Sequence, residues 1–222
     1  MKKFELTSET KINIFGKKLF RIKALISFAD VEAGETGGWV EKEGNVNQSG
    51  DAWVSGNAEV SDNAKVYGNA KVSGNAKVSG DAWVSGNAEV SGNAEVSDNA
   101  KVYGNAKVSG NAKVSGNAKV SGNAEVSGNA EVYGNAWVSG DAWVYGDAEV
   151  SGNADYTTIH GFGTQFRTTT FFRCKDKKVR VACGCFFGTI PEFREQVKNT
   201  RKGKIAEEYL MIADLMEKHF EK

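Results

Sequence analysis

Three cysteines, two histidines and one proline are all that the 222 residues contain. The cysteines, at 174, 183 and 185, are too few and too clustered for a disulfide-stapled secreted domain. No apolar stretch approaches the roughly 18 to 20 residues that cross a bilayer, so no membrane contact is expected. The start, MKKFELTSETK, lacks the uninterrupted apolar segment of a signal peptide. Net charge is missing too: Lys+Arg and Asp+Glu are 28 each. That balance argues against a surface given over wholly to nucleic acid or to an anionic membrane. What the chain does have is glycine, 26 residues of it, recurring at a fixed period rather than gathered in linkers.

Composition divides the chain in three. Residues 1–50 are mixed sequence with eight basic and seven acidic residues, and residues 155–222 are mixed again with thirteen basic and nine acidic. Between them, residues 51–154 repeat a six-residue unit, [G/D]-[N/D]-A-x-V-[S/Y], with seven basic and twelve acidic residues. Alanine holds every sixth position from Ala52 to Ala154, and valine does so from Val54 to Val150. A-x-V on an extended backbone sends two apolar side chains to one side and x to the other. A helix is a poor host, because period six does not match 3.6 and the Gly and Asn of every unit cost about 1 kcal/mol or more relative to Ala. The S-G-N step reads as a corner that Gly and Asn turn with positive φ. Short strand then bend, repeated, predicts a coil whose successive turns stack about 4.8 Å apart to satisfy their backbone groups.

The x residues set the number of units per turn. Every third unit gathers Trp53, Lys71, Glu89, Lys107, Glu125 and Trp143 on one face, and Glu59, Lys77, Glu95, Lys113, Glu131 and Glu149 on a second. The third holds Lys65, Trp83, Lys101, Lys119, Trp137 and Asp155. Lys and Glu alternate along the first two, as stacked charges should, and residues 59–80 recur as 95–116, an offset of two 18-residue turns. Residues 51–61 also match 81–91, an offset that does not preserve faces, so three units per turn is favoured rather than fixed.

The pattern V-x-G-N-A-x resembles the hexapeptide repeat of left-handed parallel β-helices, in which an aliphatic and a small residue point inside a triangular prism. The resemblance, not the periodicity, implies the left hand. The expected fold is mainly β: a left-handed parallel β-helix with three hexads per coil, an N-terminal β cap and a small C-terminal α+β cap. Residues 1–28 form the N-terminal cap, 29–155 the β-helix (an irregular first coil over 29–50, regular hexads over 51–155), and 156–222 a C-terminal hairpin with two helices. Strands are expected at 2–7, 11–15 and 18–25, covering the prism end. Beyond the repeat they are expected at 156–160, 165–174 and 179–187, and helices at 190–199, opened by a Thr189–Glu192 capping box, and 204–220. The layout, KKFELT…FRIKAL…AGETGGWV at one end and FRCKD…VRVACGCFFGTI…EF at the other, is similar to uncharacterised repeat proteins of bacteriophages and prophages. That resemblance carries no activity.

Hexapeptide-repeat proteins include acyltransferases that use a histidine and zinc hydrolases that use three. Here residues 51–154 contain no histidine, and a general base must sit within about 3 Å of the proton it takes. His160 is the one candidate near the prism, either as an acyltransferase-like base at a subunit junction or as a hydrogen-bonded residue where prism meets cap. His219 reads as a surface or packing residue. Cys174, Cys183 and Cys185 with His160 make a four-ligand set for zinc, although C-x-C in one strand is poor geometry for it; buried thiols are the commoner outcome. Otherwise no cofactor is implied. Ten basic residues against three acidic ones over 173–204 raise nucleic acid as a partner, but without a motif a solvated cap surface is the better reading. Exposed aromatics are more suggestive: Trp53, Trp83, Trp137 and Trp143 at x positions, and Tyr67, Tyr103, Tyr133 and Tyr145 after the valines. With Lys101 and Lys119 between Trp83 and Trp137, they form a candidate interaction surface. Related prisms trimerise side by side, which implies self-association, and a phage or host protein is the other partner class. Free thiols fit the cytoplasm of a host cell, with association with a virion left open. The expected function is a rigid, non-catalytic scaffold or interaction module.

Overall fold

A computed structural model describes residues 2–221. Strands β1 (Phe4–Ile12), β2 (Lys18–Ala24) and β3 (Thr36–Val40) precede seventeen two-residue strands, β4 (Trp53–Val54) through β20 (Glu149–Val150), one per hexad. Strands β4 through β17 each pair in parallel with the strand 18 residues on, as in Glu59↔Lys77 and Lys101↔Lys119. Three walls result: β3-β5-β8-β11-β14-β17-β20, β4-β7-β10-β13-β16-β19 and β6-β9-β12-β15-β18. The chain is thus a parallel β-solenoid of about six turns, three hexads to the turn. The first coil is longer: Val40 pairs with Val60 and Val46 with Val66, 20 residues apart. The two extra residues fall in the corner before Val54.

Every Val from 46 to 150 on the hexad positions, and every hexad Ala from 52 to 148, is at most 1% exposed. The eighteenth alanine, Ala154, is not inside. It lies exposed in a short 3-10 turn (Asn153–Asp155) that ends the coil. For the same reason Asp155 leaves the third wall and is buried, accepting from the Ser151 and Gly152 N–H groups and pairing with Arg173.

Corners turn on glycine. Gly110 has φ +68, and a Cβ there would meet the backbone N of Gly128 at 2.9 Å, so both conformation and stacking exclude a side chain. Asp62 and Asp98 take two such corners at φ +58 and +57; their carboxylates accept the N–H of Gly80 and Gly116 one coil on. Corner Asn side chains could bond to neighbouring backbone. Instead they bond to one another, Asn75→Asn93→Asn111→Asn129 at 3.1 Å per step. An amide both donates and accepts, so it extends such a ladder, whereas a carboxylate only accepts. Two ladders accordingly end on Asp141 and Asp147 near the C-terminal end.

The backbone ladder has a direction. In each hexad the N–H groups of x, the residue after Val, and Asn donate to the following coil, as Lys71, Ser73 and Asn75 do to the carbonyls of Ala88, Val90 and Gly92. The N-terminal end is therefore rich in free carbonyls and the C-terminal end in free N–H groups. Donors close the first. Lys3 Nζ reaches the Gly50 and Ala52 carbonyls, Arg21 the Gly56 carbonyl and Asn45 Nδ2 the Ala64 carbonyl. Acceptors close the second: Asn153 Oδ1 takes the Trp137 N–H and Thr170 Oγ1 the Trp143 N–H.

Burial pushes the Lys3 ammonium down to about 8 from 10.5, opposed in part by Asp51. Between those pH values the unfolded chain holds a proton that the folded chain has released, so this group's contribution to stability rises with pH through the window and is lost as pH falls below it. Denaturation of wild type against Lys3→Met from pH 7 to 10.5 should show the difference in ΔG moving in favour of wild type by up to about 1.4 kcal/mol per pH unit above 8. A constant difference would mean that Lys3 titrates alike in both states.

The N-terminal strands differ from expectation. Residues 4–12 are one strand with an irregularity between Leu6 and Thr10, and β1-β2 pairs antiparallel with β3, so it prolongs one wall of the prism. Phe4, Ile22 and Ala24 still join the prism core. At the other end, β21 (Tyr156–Phe162), β22 (Arg167–Arg173), β23 (Val179–Cys183) and β24 (Phe186–Thr189) form an antiparallel sheet. The expected third strand is split by Gly184, at φ +60. Helices α1 (Ile190–Thr200) and α2 (Gly203–Phe220) pack on it, and the Thr189–Glu192 capping box is formed.

Candidate functional site

The walls carry different chemistry. On the first two, Lys and Glu face each other from coil to coil, Glu89↔Lys107↔Glu125 and Glu59↔Lys77↔Glu95. One like pair, Glu131↔Glu149, is held by the turn after β22: Lys175 meets Glu131 at 2.7 Å and Lys177 meets Glu149 at 2.6 Å. The Lys177 hydrogen bond, with that of Tyr133, keeps the Glu149 carboxyl below its ordinary range.

The third wall has no carboxylate: Lys65, Trp83, Lys101, Lys119 and Trp137 follow one another along it. Lys101 stacks directly beside Lys119, and among the described residues neither has an ion-pair partner. Each turns instead to the ring on its far side, Lys101 Nζ lying 5.1 Å from the Trp83 centroid and Lys119 Nζ 5.7 Å from that of Trp137. Trp137 is fixed by Nε1–H donating to Ser121 Oγ at 2.9 Å, and Trp83 by an edge contact with Tyr67 at 5.7 Å. Both rings stay open, 44% exposed at Trp83 and 47% at Trp137. A shallow groove lined by Tyr67, Trp83, Lys101, Tyr103 and Lys119 runs along this wall. It meets a larger hollow of about 610 Å³ over Gly44, Asn47, Lys65 and Trp83.

A family model for the YdcK beta solenoid repeat matches residues 130–146. The chain is a repeat β-solenoid protein. No curated protein matches the sequence significantly.

The remaining aromatics are placed otherwise. Trp53 was expected to face outwards, but it is 4% exposed, with Phe4 and Phe28 against it at 6.1 and 5.5 Å. The N-terminal hairpin and the segment after it close over this first rung, which no periodicity marks as special. Tyr145 is half-buried against Phe187, ring centroids 4.4 Å apart, and Tyr133 donates to Glu149. Trp143, 44% exposed, borders a separate groove with Asp141, Phe166, Arg167 and His160.

That groove holds about 560 Å³. His160 is exposed in it, its Nδ1 3.2 Å from Thr168 Oγ1. Phe166, expected inside the strand over 165–174, instead takes φ +48 and is 66% exposed. The nearby glycines at 161 and 163 are the one signal of a bend here. Among the described residues no carboxylate pairs with the imidazole.

Cysteines 174, 183 and 185 do not converge. In the β22–β23 register Cys183 faces Thr169, five residues and so about 16 Å from Cys174. Cys185 sits exposed in the turn after Gly184, which removes it from the strand face of Cys183. Among the described residues no group of three or more His, Cys, Asp and Glu is placed to hold a metal, so the Cys174, Cys183, Cys185 and His160 set is not assembled. Burial pushes the Cys174 thiol up to about 11, which leaves it neutral and unreactive at pH 7. The basic stretch over 173–204 is largely spent on ion pairs: Arg173 with Asp155, Lys175 with Glu131, Lys177 with Glu149, Arg180 with Asp176, and Arg194 with Asp214 and Glu217. No helix among the described residues is long and apolar enough to cross a membrane.

Proposed function

We propose that this β-solenoid is a non-catalytic rod that holds a protein partner on its third wall, in a bacteriophage or prophage setting. The setting rests on the similarity of the chain's two ends to those repeat proteins. The wall reading rests on one observation: among the described residues, the only prism wall without an outward carboxylate carries two open tryptophan rings and two adjacent lysines with no ion-pair partner. A rigid ladder keeps that spacing fixed, so little side-chain or backbone order has to be created on binding. The corresponding experiment is affinity capture from infected or lysogenic cells with wild type, Trp83→Ala/Trp137→Ala and His160→Ala. Capture should fall at least tenfold in the double tryptophan variant and stay unchanged in His160→Ala. Retention by the tryptophan variant would remove the wall from the function.

A second reading, acyltransferase-like chemistry at His160, draws on the open groove and the exposed imidazole within it. It requires turnover of an acyl donor that His160→Ala abolishes. Coupled loss of capture and turnover in that variant would favour it over the rod.

A further inference from the structure

The arrangement of the third wall specifies the chemistry of what it holds, and the inference rests on the reading of that wall as the partner surface. Its centre is a repulsive step. Lys101 and Lys119 occupy adjacent rungs in parallel register, and strands in a sheet lie about 4.8 Å apart. The two ammoniums bend away from each other onto Trp83 and Trp137, which leaves an uncompensated gap between them and covers part of each ring. Elsewhere on the prism such a step is neutralised, as Lys175 and Lys177 do for Glu131 and Glu149. Here no described residue does so.

A second copy of the chain cannot fill the gap through the same wall. That wall presents only lysine and tryptophan at its outward positions, so an isologous pairing brings no anion to the gap and adds its own lysines to the buried surface. Backbone pairing is not on offer either, because wall N–H and C=O groups are consumed from coil to coil. The partner must therefore be read by its side chains, with an anion at the centre and apolar groups on both sides.

The spacing names the polymer. Trp83 and Trp137 stand three rungs apart, about 14 Å with rungs about 4.8 Å apart. An extended peptide lying along the prism axis advances about 3.4 Å per residue and points residues i, i+2 and i+4 to one face. Four residues span about 14 Å, so i and i+4 fall on the two rings while i+2 falls midway between the two lysines. Single-stranded nucleic acid instead wants platforms for successive bases, and this wall interposes two cations between its open tryptophans.

We propose that the third wall binds an extended acidic segment of pattern aromatic–x–Glu/Asp–x–aromatic, the carboxylate bridging Lys101 and Lys119 and the two rings stacking on Trp83 and Trp137. Entry of the carboxylate draws both ammoniums inward and uncovers the indole faces, so the charged and aromatic contacts form together. Tyr67 and Tyr103 flank the groove and border the segment on one side.

The test is titration calorimetry of the full chain with the blocked peptide Thr-Phe-Thr-Glu-Thr-Phe-Thr, and with the same peptide carrying Gln for Glu. Millimolar or tighter binding is expected, weakened at least tenfold by the Gln peptide and by Lys101→Gln/Lys119→Gln, the two changes together costing no more than either alone. Both lysines are solvent-facing, and circular dichroism checks that the variant keeps its fold. Oligothymidylate, polygalacturonate and self-association by solution mass are the competing arms. Tighter binding of either polyanion, a dimer abolished by the lysine variant, or no peptide binding at all would overturn the proposal. If cellular capture still depends on Trp83 and Trp137 while the peptide fails, the wall remains the partner surface and only its assigned ligand falls.

Discussion

Val108→Asp should cost the protein more than about 4 kcal/mol of local stability, whereas Lys107→Gln beside it should change stability by less than about 0.5 kcal/mol. Val108 is fully buried and stacks on Val90 and Val126 in register, in coils whose hexad positions put only Val and Ala inside. A carboxyl there finds no partner among the side chains above and below, so it enters neutral and unsatisfied or forces the coil open. Lys107 stands on the same two-residue strand with its side chain in solvent. Because each coil contacts only its neighbours, damage should spread along the axis rather than collapse the whole chain at once. Hydrogen exchange would show it: protection lost first in the coils bearing residues 90, 108 and 126, and retained toward both caps. Equal losses for the two variants would contradict the alternation on which the prism rests.

That alternation is also why the prism could be read from the sequence at all. Each hexad repeats one local decision, and seventeen copies average away the ambiguity of any one. The wall assignment followed from charges at x because parallel stacking puts residue n beside n+18, where like charges repel; Glu131 beside Glu149 and Lys101 beside Lys119 are the exceptions, and the lysine step, which no described residue neutralises, marks the candidate site. The ends carry no such redundancy. Trp53 occupies the same hexad position as Trp83, yet it is buried because Phe4 and Phe28 return to it from some 25 to 50 residues upstream, a contact that no local pattern encodes. Ala154 fits the repeat and is outside it, because the 3-10 turn at Asn153–Asp155 has already ended the coil. Cys183 and Cys185 looked like one strand face until the positive φ of Gly184 parted them. Periodicity reveals what repeats; the places where it is broken are set by tertiary contacts.

Phe172→Ala and Phe171→Ala, one residue apart, should fail in different ways. Strand β22 separates two cores. Thr170, Phe172 and Cys174 face the prism, where Thr170 holds the Trp143 N–H and Phe172 belongs to the same cluster as the hexad valines. Phe171 faces the helices and packs with Val181, Phe193 and Tyr209. Truncating a buried Phe costs about 3–5 kcal/mol, but the loss falls on whichever core the ring fills. Phe171→Ala should melt the helical signal at 222 nm well below wild type and leave the β-solenoid intact. Phe172→Ala should keep most of that helical signal, while the cap loosens from the prism and the chain between Ser151 and Tyr156 becomes open to protease. The bared end then presents the unpaired N–H groups of Trp137 and Trp143, an edge that invites association as concentration rises. Circular dichroism with limited proteolysis and solution mass separates the two outcomes. Should Phe172→Ala lose its helices as readily as Phe171→Ala, the sheet would be transmitting one continuous core rather than dividing two.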